Sequence, residues 1–465
     1  MSVTDLHARA VASFEAGAAS EAAELLRAAV AEQLEPELIN DLAVVLAAAG
    51  DRAGARGLLE ALQTLMPEFT DAGENLAALA AQPGADGGGA VADVGLEALA
   101  VGHADGGAPD PRRAALLQTV AEAQRTHLAD NLDLLFEPWG RELPDPAGVG
   151  ARLATQLEVL DRCDVLWEAL GDEESRALLL RYFAYRALGP AHVRLQLEPG
   201  PYRRSVIGMT AQLVREVGVA GMPGMPYEWA HHVYDFAPTG VPLRVAGPPL
   251  PLASTLVFSQ YAYRDAQAAP HARPLPGDVA LDVGGCWGET ALWLAHEVGP
   301  TGRVHTFEPS SKNLLLLADN LERNVELVPR ISVHASPLAA EAGREIWVDD
   351  AVAAGATTHE DPSDTGGRRV LPAVTDCVDA LVARGVLDRV DFVKVDVEGA
   401  ELEVLRGAAH TLRTQQPRLA LAAYHRPDDL AVLPGFVAGL GLEYRWYLQC
   451  STMTDVDTVL FGVPA

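Results

Sequence analysis

The chain has 465 residues, 49% of them hydrophobic, so it can bury more than one core, and two or three structural units are expected. Acidic residues outnumber basic ones by 64 to 35, and the formal net charge of −29 repels phosphate backbones, which argues against a nucleic-acid substrate. The four cysteines, Cys163, Cys286, Cys377 and Cys450, lie far apart with no C-x-x-C pair; this suits reduced thiols in a cytoplasmic protein and supports neither a disulfide framework nor a zinc site.

The first residues, Met1 to His7, carry no basic segment followed by an apolar core, so no secretory signal is expected. Charges interrupt every alanine-rich stretch, which leaves no run long enough to span a membrane. Residues 1–81 repeat with a period of roughly 32 to 34 residues: Phe14 to Gly17, Glu21 to Leu26 and Pro36 are echoed by Leu46 to Gly50, Ala53 to Leu59 and Pro67. The spacing predicts two tetratricopeptide-like helical pairs and a capping helix from Asn75. An array this short has little core of its own and is expected to lean on another surface. It is either a partner-binding or self-associating face, or a plain helical appendage.

Residues 82–111 turn to Gly, Ala, Asp and Pro and read as a linker. Residues 112–273 read as a cover region. Helices are expected over 112–136, 149–170 and 173–188, followed by a proline-rich, irregular stretch from His192 to Arg273 over the mouth of the next domain. Its aromatic residues are expected to pack, with Tyr261 and Tyr263 as candidate ligand contacts.

Residues 274–465 alternate strand and helix and predict a doubly wound sheet with an antiparallel last pair. The strands fall at Val279 to Val283, Arg303 to Glu308, Arg330 to His334, Val390 to Val395, Arg418 to Tyr424, Tyr444 to Gln449 and Val456 to Val463, with a polar excursion over 341–369. The first strand runs into Gly284-Gly285-Cys286-Trp287-Gly288, then a helix. Glycines there let the backbone turn sharply and a ligand approach it closely. The pattern is neither the G-x-G-x-x-G dinucleotide fingerprint nor a P-loop, and Asp282 at the strand end repels phosphates but suits a cationic amino group and sulfonium. Glu308, ending the second strand, is placed to accept both hydroxyls of a ribose. Asp282, Gly284, Gly285, Gly288, Thr290 and Glu308 thus outline an S-adenosylmethionine pocket.

Leu281 to Leu292, Phe307-Glu308-Pro309 and Val390 to Glu401 resemble the FkbM-type methyltransferases. The resemblance covers Asp278 to the end and departs mildly at Glu289, where members often carry aspartate. It implies a class I methyltransferase fold, a seven-stranded doubly wound sheet, and O-methyl transfer from S-adenosylmethionine.

Methylating a hydroxyl needs alignment and a base or a metal. The strand-end positions hold Asp396 and Glu398, which face the same way in extended chain, and His425, whose ordinary pKa near 6.5 suits proton removal. These three are the catalytic candidates. Glu401 is expected to complement the helix dipole or pair with Lys394 or Arg406, and Trp287 to be a packing anchor. His231-His232 is not a helical i, i+4 pair, so no metal constellation is read, and Mg2+ is left open only at Asp396 and Glu398. The acceptor is expected to be a small metabolite, such as a sugar or polyketide hydroxyl of natural-product biosynthesis, or a peptide carboxylate recruited by the repeats. The rival reading is an interaction scaffold with an inactive methyltransferase fold.

Overall fold

A computed structural model describes residues 3–32, 35–66, 69–81, 110–126, 128, 131, 148–219, 231–265, 267–349, 358–359 and 370–465. Helices α1 (Val3–Glu15), α2 (Ala19–Glu32), α3 (Pro36–Ala49), α4 (Arg52–Leu65) and α5 (Thr70–Ala81) pack each on the next. Local chemistry sets the breaks. Gly50 closes α3 in the left-handed conformation, and the Asp51 carboxylate caps α4 by accepting the Gly54 N–H at 2.9 Å. Most of the linker expected at 82–111 falls outside the described residues.

The chain resumes with α6 (Pro111–Gln124), α7 (Val149–Asp161), α8 (Asp164–Ala169) and α9 (Glu173–Leu188). The single helix expected over 149–170 is therefore two, broken at Arg162 and Cys163. Asp172 caps α9 by accepting the Ser175 N–H at 2.8 Å.

The stretch from His192 to Arg273 is more regular than its prolines suggested. It holds α10 (Pro199–Leu213), an antiparallel sheet of β1 (Val214–Val219), β2 (His231–Asp235) and β3 (Arg244–Gly247), and α11 (Pro249–Leu256). Pro199 and Pro249 stand at helix starts, where the missing N–H costs nothing and the fixed φ helps, so they open helices rather than break them. The N-terminal helices lean on α10. Leu58 and Leu62 of α4 share one apolar cluster with Tyr202, Val206, Ile207 and Met209 of α10. The helices cross closely enough that a Cβ on Gly57 would sit 2.6 Å from the buried Arg203 guanidinium.

The large sheet begins with β4 (Val279–Val283), α12 (Glu289–Glu297), β5 (Arg303–Phe307), α13 (Ser311–Glu322) and β6 (Ile331–His334). The polar excursion then contains strands: β7 (Glu345–Asp349) pairs antiparallel with both β8 (Thr358–His359) and β9 (Val370–Val374). After α14 (Val378–Ala383) come β10 (Phe392–Val395), α15 (Glu401–Arg406), α16 (Ala409–Gln415), β11 (Arg418–Ala422), α17 (Asp429–Gly439), β12 (Tyr444–Cys450) and β13 (Thr458–Pro464). The seven-stranded order is β12-β13-β11-β10-β4-β5-β6, parallel except for β13, which runs antiparallel to both neighbours.

The central parallel strands β4, β10 and β11 are buried on both faces, and alternate residues feed two cores. Ala280, Val304, Phe392 and Ala420 face the core shared with the repeats and cover, whereas Leu281, Val283, Val393 and Leu421 face the core shared with α7 to α9. The free edge of β3 is closed by two asparagines, Asn320 of α13 and Asn324 just past its end, instead of a strand. Asn320 accepts the Ala246 N–H at 2.7 Å and donates to the Ala246 carbonyl at 2.9 Å. Asn324, one turn later, does the same for Arg244 at 3.0 and 2.7 Å. Among the described residues no helix is long and apolar enough to cross a membrane.

Candidate active site

The turn after β4 is built by close backbone approach. Gly284, Cys286 and Gly288 all have positive φ, and the Gly284 and Gly285 N–H groups both donate to the Phe307 carbonyl at 3.0 Å. A Cβ on Gly284 would lie 1.8 Å from the Asp396 carbonyl oxygen, and one on Gly285 would lie 2.0 Å from Thr306 Oγ1. These two glycines therefore press the turn against β10 and β5.

Asp282 is fully buried beneath this turn and makes its contacts inside the protein. Lys394 Nζ sits 3.0 Å from Oδ1, the Thr290 hydroxyl donates to both carboxylate oxygens at 3.0 Å, and the Thr306 hydroxyl donates to Oδ2 at 2.9 Å. Asp282 and Thr290, expected at the cofactor, here hold one another and support the turn from below. Lys394 also donates to the Gly284 carbonyl at 2.5 Å. Burial pulls its pKa down, but the Asp282 and Asp396 charges outweigh that and raise it, so the lysine stays charged. The ion pair expected between Lys394 and Glu401 does not form.

Glu308 closes the far side. Its two oxygens accept the N–H groups of Cys286 and Ser310, each at 2.8 Å, which ties the end of β5 to the glycine turn. The Asn313 side chain donates to the same carboxylate, which leaves one of its lone pairs open. Burial pushes the carboxyl up to about 7, with the backbone donors pulling the other way. Glu289 is also pushed up to about 7 by burial, and its Oε2 is buried without a hydrogen-bond partner. With Lys394 committed to Asp282, the cradle is rich in acceptors and acidic. That donor set fits a cationic ligand bearing hydroxyls and does not fit a phosphate. Trp287 is 2% exposed and packs with Val233, Ala246 and Leu316, as an anchor should.

The three catalytic candidates converge at the carboxyl ends of β10 and β11. His425 Nε2 lies 3.5 Å from both Asp396 Oδ1 and Glu398 Oε2. Glu398 and Gly399 both have positive φ, which folds the chain back so that Glu401 faces inward. Glu401 is the residue that sequence reasoning missed. Its Oε1 accepts His425 Nδ1–H at 2.8 Å and the N–H groups of Val397 and Gly399 at 3.0 and 3.3 Å. Its expected partner Arg406 pairs with Glu403 instead. Burial lowers the imidazole pKa, but the Glu401 hydrogen bond and the Asp396 and Glu401 charges raise it to about 9. His425 is thus charged at neutral pH and is not the ready base that its ordinary pKa suggested. Burial pushes Glu398 up to about 7.

Two tyrosines finish the cluster. The Tyr261 hydroxyl, from the cover, donates to Asp396 Oδ2 at 2.7 Å while its ring faces Lys394 Nζ at 5.2 Å, and the Tyr424 hydroxyl donates to Asp396 Oδ1 at 3.4 Å. Tyr263 is not at the site: its hydroxyl donates to Asp172 at 2.7 Å and braces α9. Asp396, Glu401 and His425 bring ligand atoms within 4.8 Å of one another, a grouping capable of holding a cation that the sequence did not reveal. The His231 side chain lies outside the described residues.

A glycine turn after the first strand of a seven-stranded sheet, an acid ending the second strand and an antiparallel last hairpin define the class I methyltransferase fold. Residues 274–444 match the family model described as the methyltransferase FkbM domain. Among solved structures the chain is similar to the methyltransferase FkbM from Methylobacillus flagellatus KT, with 21% identity over 68% of this chain and 60% of that one and a TM-score of 0.41. The chain thus spans 60% of that protein's length. It is also similar to the Aeropyrum pernix fibrillarin in complex with S-adenosyl-L-methionine (15% identity, 44% of this chain, 76% of that chain, TM-score 0.28). The O-methyltransferase from Bacillus cereus in complex with SAH is matched at 15% identity over 49% of this chain and 86% of that chain, with a TM-score of 0.28. No curated protein matches the chain.

Proposed function

We propose that the chain is an S-adenosylmethionine-dependent O-methyltransferase acting on an uncharged hydroxyl of a small metabolite, such as a sugar or a polyketide. The observation that carries this reading is the convergence of Asp396, Glu398 and His425 beside the glycine turn and Glu308, within the stretch that matches the methyltransferase FkbM domain. S-adenosylmethionine supplies a methyl carbon activated by a sulfonium. Glu308 would accept a ribose hydroxyl through the lone pair its protein donors leave open, and the close turn at Gly284, Gly285 and Gly288 would set the depth of the ligand. The chain's own task is alignment and removal of one proton. Glu398 would take the proton of the acceptor hydroxyl as that oxygen is methylated. That carboxylate is the most open of the three candidates, its side chain 35% exposed against 18% for Asp396 and 8% for His425. His425, clamped by Glu401, steadies the charge.

The same acids oppose a carboxylate acceptor, which weighs against methylation of a peptide carboxylate. The N-terminal helices, as a tetratricopeptide-like unit, would serve to recruit a partner or a second copy. The test is transfer of labelled methyl from S-adenosylmethionine to matched acceptor pairs, each a neutral polyol or polyketide and its carboxylate counterpart. Label on the neutral member, reduced at least tenfold by Glu398→Gln, supports the reading. Label confined to the carboxylates would contradict it.

A further inference from the structure

The acids around the glycine turn differ in what already occupies them. Asp282 has its oxygens on Lys394, Thr290 and Thr306. Glu308 accepts the Cys286 and Ser310 N–H groups and the Asn313 side chain, and Asp396 accepts the hydroxyls of Tyr261 and Tyr424. Glu289 is only 6% exposed, yet its Oε2 is buried with no hydrogen-bond partner. Leaving a buried acceptor unmade is costly, so a site that keeps one is arranged for a donor from outside the chain.

The position of Glu289 says where that donor comes from. The residue opens α12 directly after Gly288, whose left-handed conformation carries the chain out of the glycine turn. Its charge acts on the Cys286 thiol, and the charges of Lys394, Asp282 and Asp396 act on it in return, so the carboxyl lies among residues that the turn, β4 and β10 supply. Glu308 acts on the same thiol and also holds the Cys286 N–H, so Glu289 and the acid proposed for the ribose share one neighbour. Lys394 does not neutralise Glu289, because its ammonium is committed to Asp282 Oδ1 at 3.0 Å and to the Gly284 carbonyl at 2.5 Å. Burial, with the Asp282 and Asp396 charges behind it, pushes the Glu289 carboxyl up to about 7 against the pull of its own N–H and of Lys394. A cation bearing N–H donors would satisfy the oxygen and restore its charge together.

We propose that Glu289 is the counter-anion of the cofactor's α-ammonium group, accepting one of its N–H donors at Oε2. The assignment rests on the S-adenosylmethionine reading and adds the residue that selects ligands with an intact amino-acid end. The ammonium is assigned in preference to the sulfonium because only the ammonium has N–H donors to give an oxygen that lacks one.

The test is calorimetric titration of the full-length protein and of Glu289→Gln, which keeps the size and removes the charge. The ligands are S-adenosylmethionine, S-adenosylhomocysteine and methylthioadenosine, the last sharing adenine and ribose but having neither ammonium nor sulfonium. The expected result is that both amino-acid ligands weaken by at least about tenfold in Glu289→Gln while methylthioadenosine changes by less than about twofold, which also shows that the variant keeps its fold. Unchanged S-adenosylhomocysteine binding, or equal weakening of S-adenosylhomocysteine and methylthioadenosine, overturns the assignment and leaves the cofactor reading standing. Weakening of S-adenosylmethionine alone transfers the carboxylate to the sulfonium and overturns it too. Failure of the unaltered protein to bind S-adenosylmethionine or S-adenosylhomocysteine sinks the cofactor reading, and the assignment with it.

Discussion

Lys394 and Asp282 hold the glycine turn from beneath as a buried ion pair. The pair is buried to 2% and 0% exposure, so removing one partner leaves an uncompensated charge inside the sheet. Lys394→Met is expected to cost about 3–5 kcal/mol in chemical denaturation, and Lys394→Met with Asp282→Asn to recover part of that loss. Glu308 carries a pH dependence. Its carboxyl ionises near 7, and only the ionised form offers all its lone pairs to hydroxyls. Affinity for S-adenosylhomocysteine is therefore expected to weaken several-fold, up to roughly tenfold per unit, as pH falls below 7, a slope that Glu308→Gln should flatten. A second titration acts on stability. Burial and the neighbouring His334, 3.1 Å away, lower the His305 pKa to about 4. A histidine depressed in the folded state binds its proton first in the unfolded chain, so stability is full above about 6.5 and declines as pH falls toward 4. For this partly exposed ring the loss is about 1–2 kcal/mol, and His305→Gln should remove it from the acid limb of a denaturation series. At this scale Asp396, Glu398 and His425 were legible because strand ends face the crevice in such sheets. Glu401 was not, because its inward direction depends on two left-handed residues, one of them the non-glycine Glu398.

Among the elements, the strands of the large sheet could be read from the sequence because most are buried on both faces and so appear as short apolar runs between glycine and polar breaks, β6 being the partly exposed edge. The helix α10 could not. Pro199 and Pro201 suggested irregular chain, while in the structure both lie in the first turn, where proline is tolerated. The sheet β1 to β3 was hidden for another reason: its edge is completed by side chains of a helix distant in sequence. Asn320→Ala removes the partners of both Ala246 groups and one bond to the Trp287 carbonyl. The expected cost is about 2–3 kcal/mol, with faster amide exchange confined to β2 and β3 and to the turn at Trp287. Unchanged exchange there would show that the asparagine ladder does not hold the sheet.

Across the whole molecule, the N-terminal helices are not a detachable module. They share one core with α10, α11 and one face of the large sheet. Deleting residues 1–81 is therefore expected to uncover Tyr202, Val206 and Ile207 and to cause aggregation, so it is not a clean test of partner recruitment. Gly57→Leu is a finer probe: it forces α4 from α10 against Arg203 and should cost about 1–3 kcal/mol while leaving the glycine turn intact. The linker expected after these helices rests on composition alone and mostly lies outside the described residues, whereas the helices could be read because their apolar spacing is local. The surface they lean on was not, because α10 lies more than a hundred residues further along the chain.

The most direct test of the central claim is calorimetric titration of the full-length protein with S-adenosylhomocysteine, with NAD as control and Glu308→Ala as the variant. The account predicts one site for S-adenosylhomocysteine, none for NAD, and affinity lost by at least about tenfold in Glu308→Ala. Saturable binding of NAD in place of S-adenosylhomocysteine, or S-adenosylhomocysteine binding indifferent to Glu308, would contradict it.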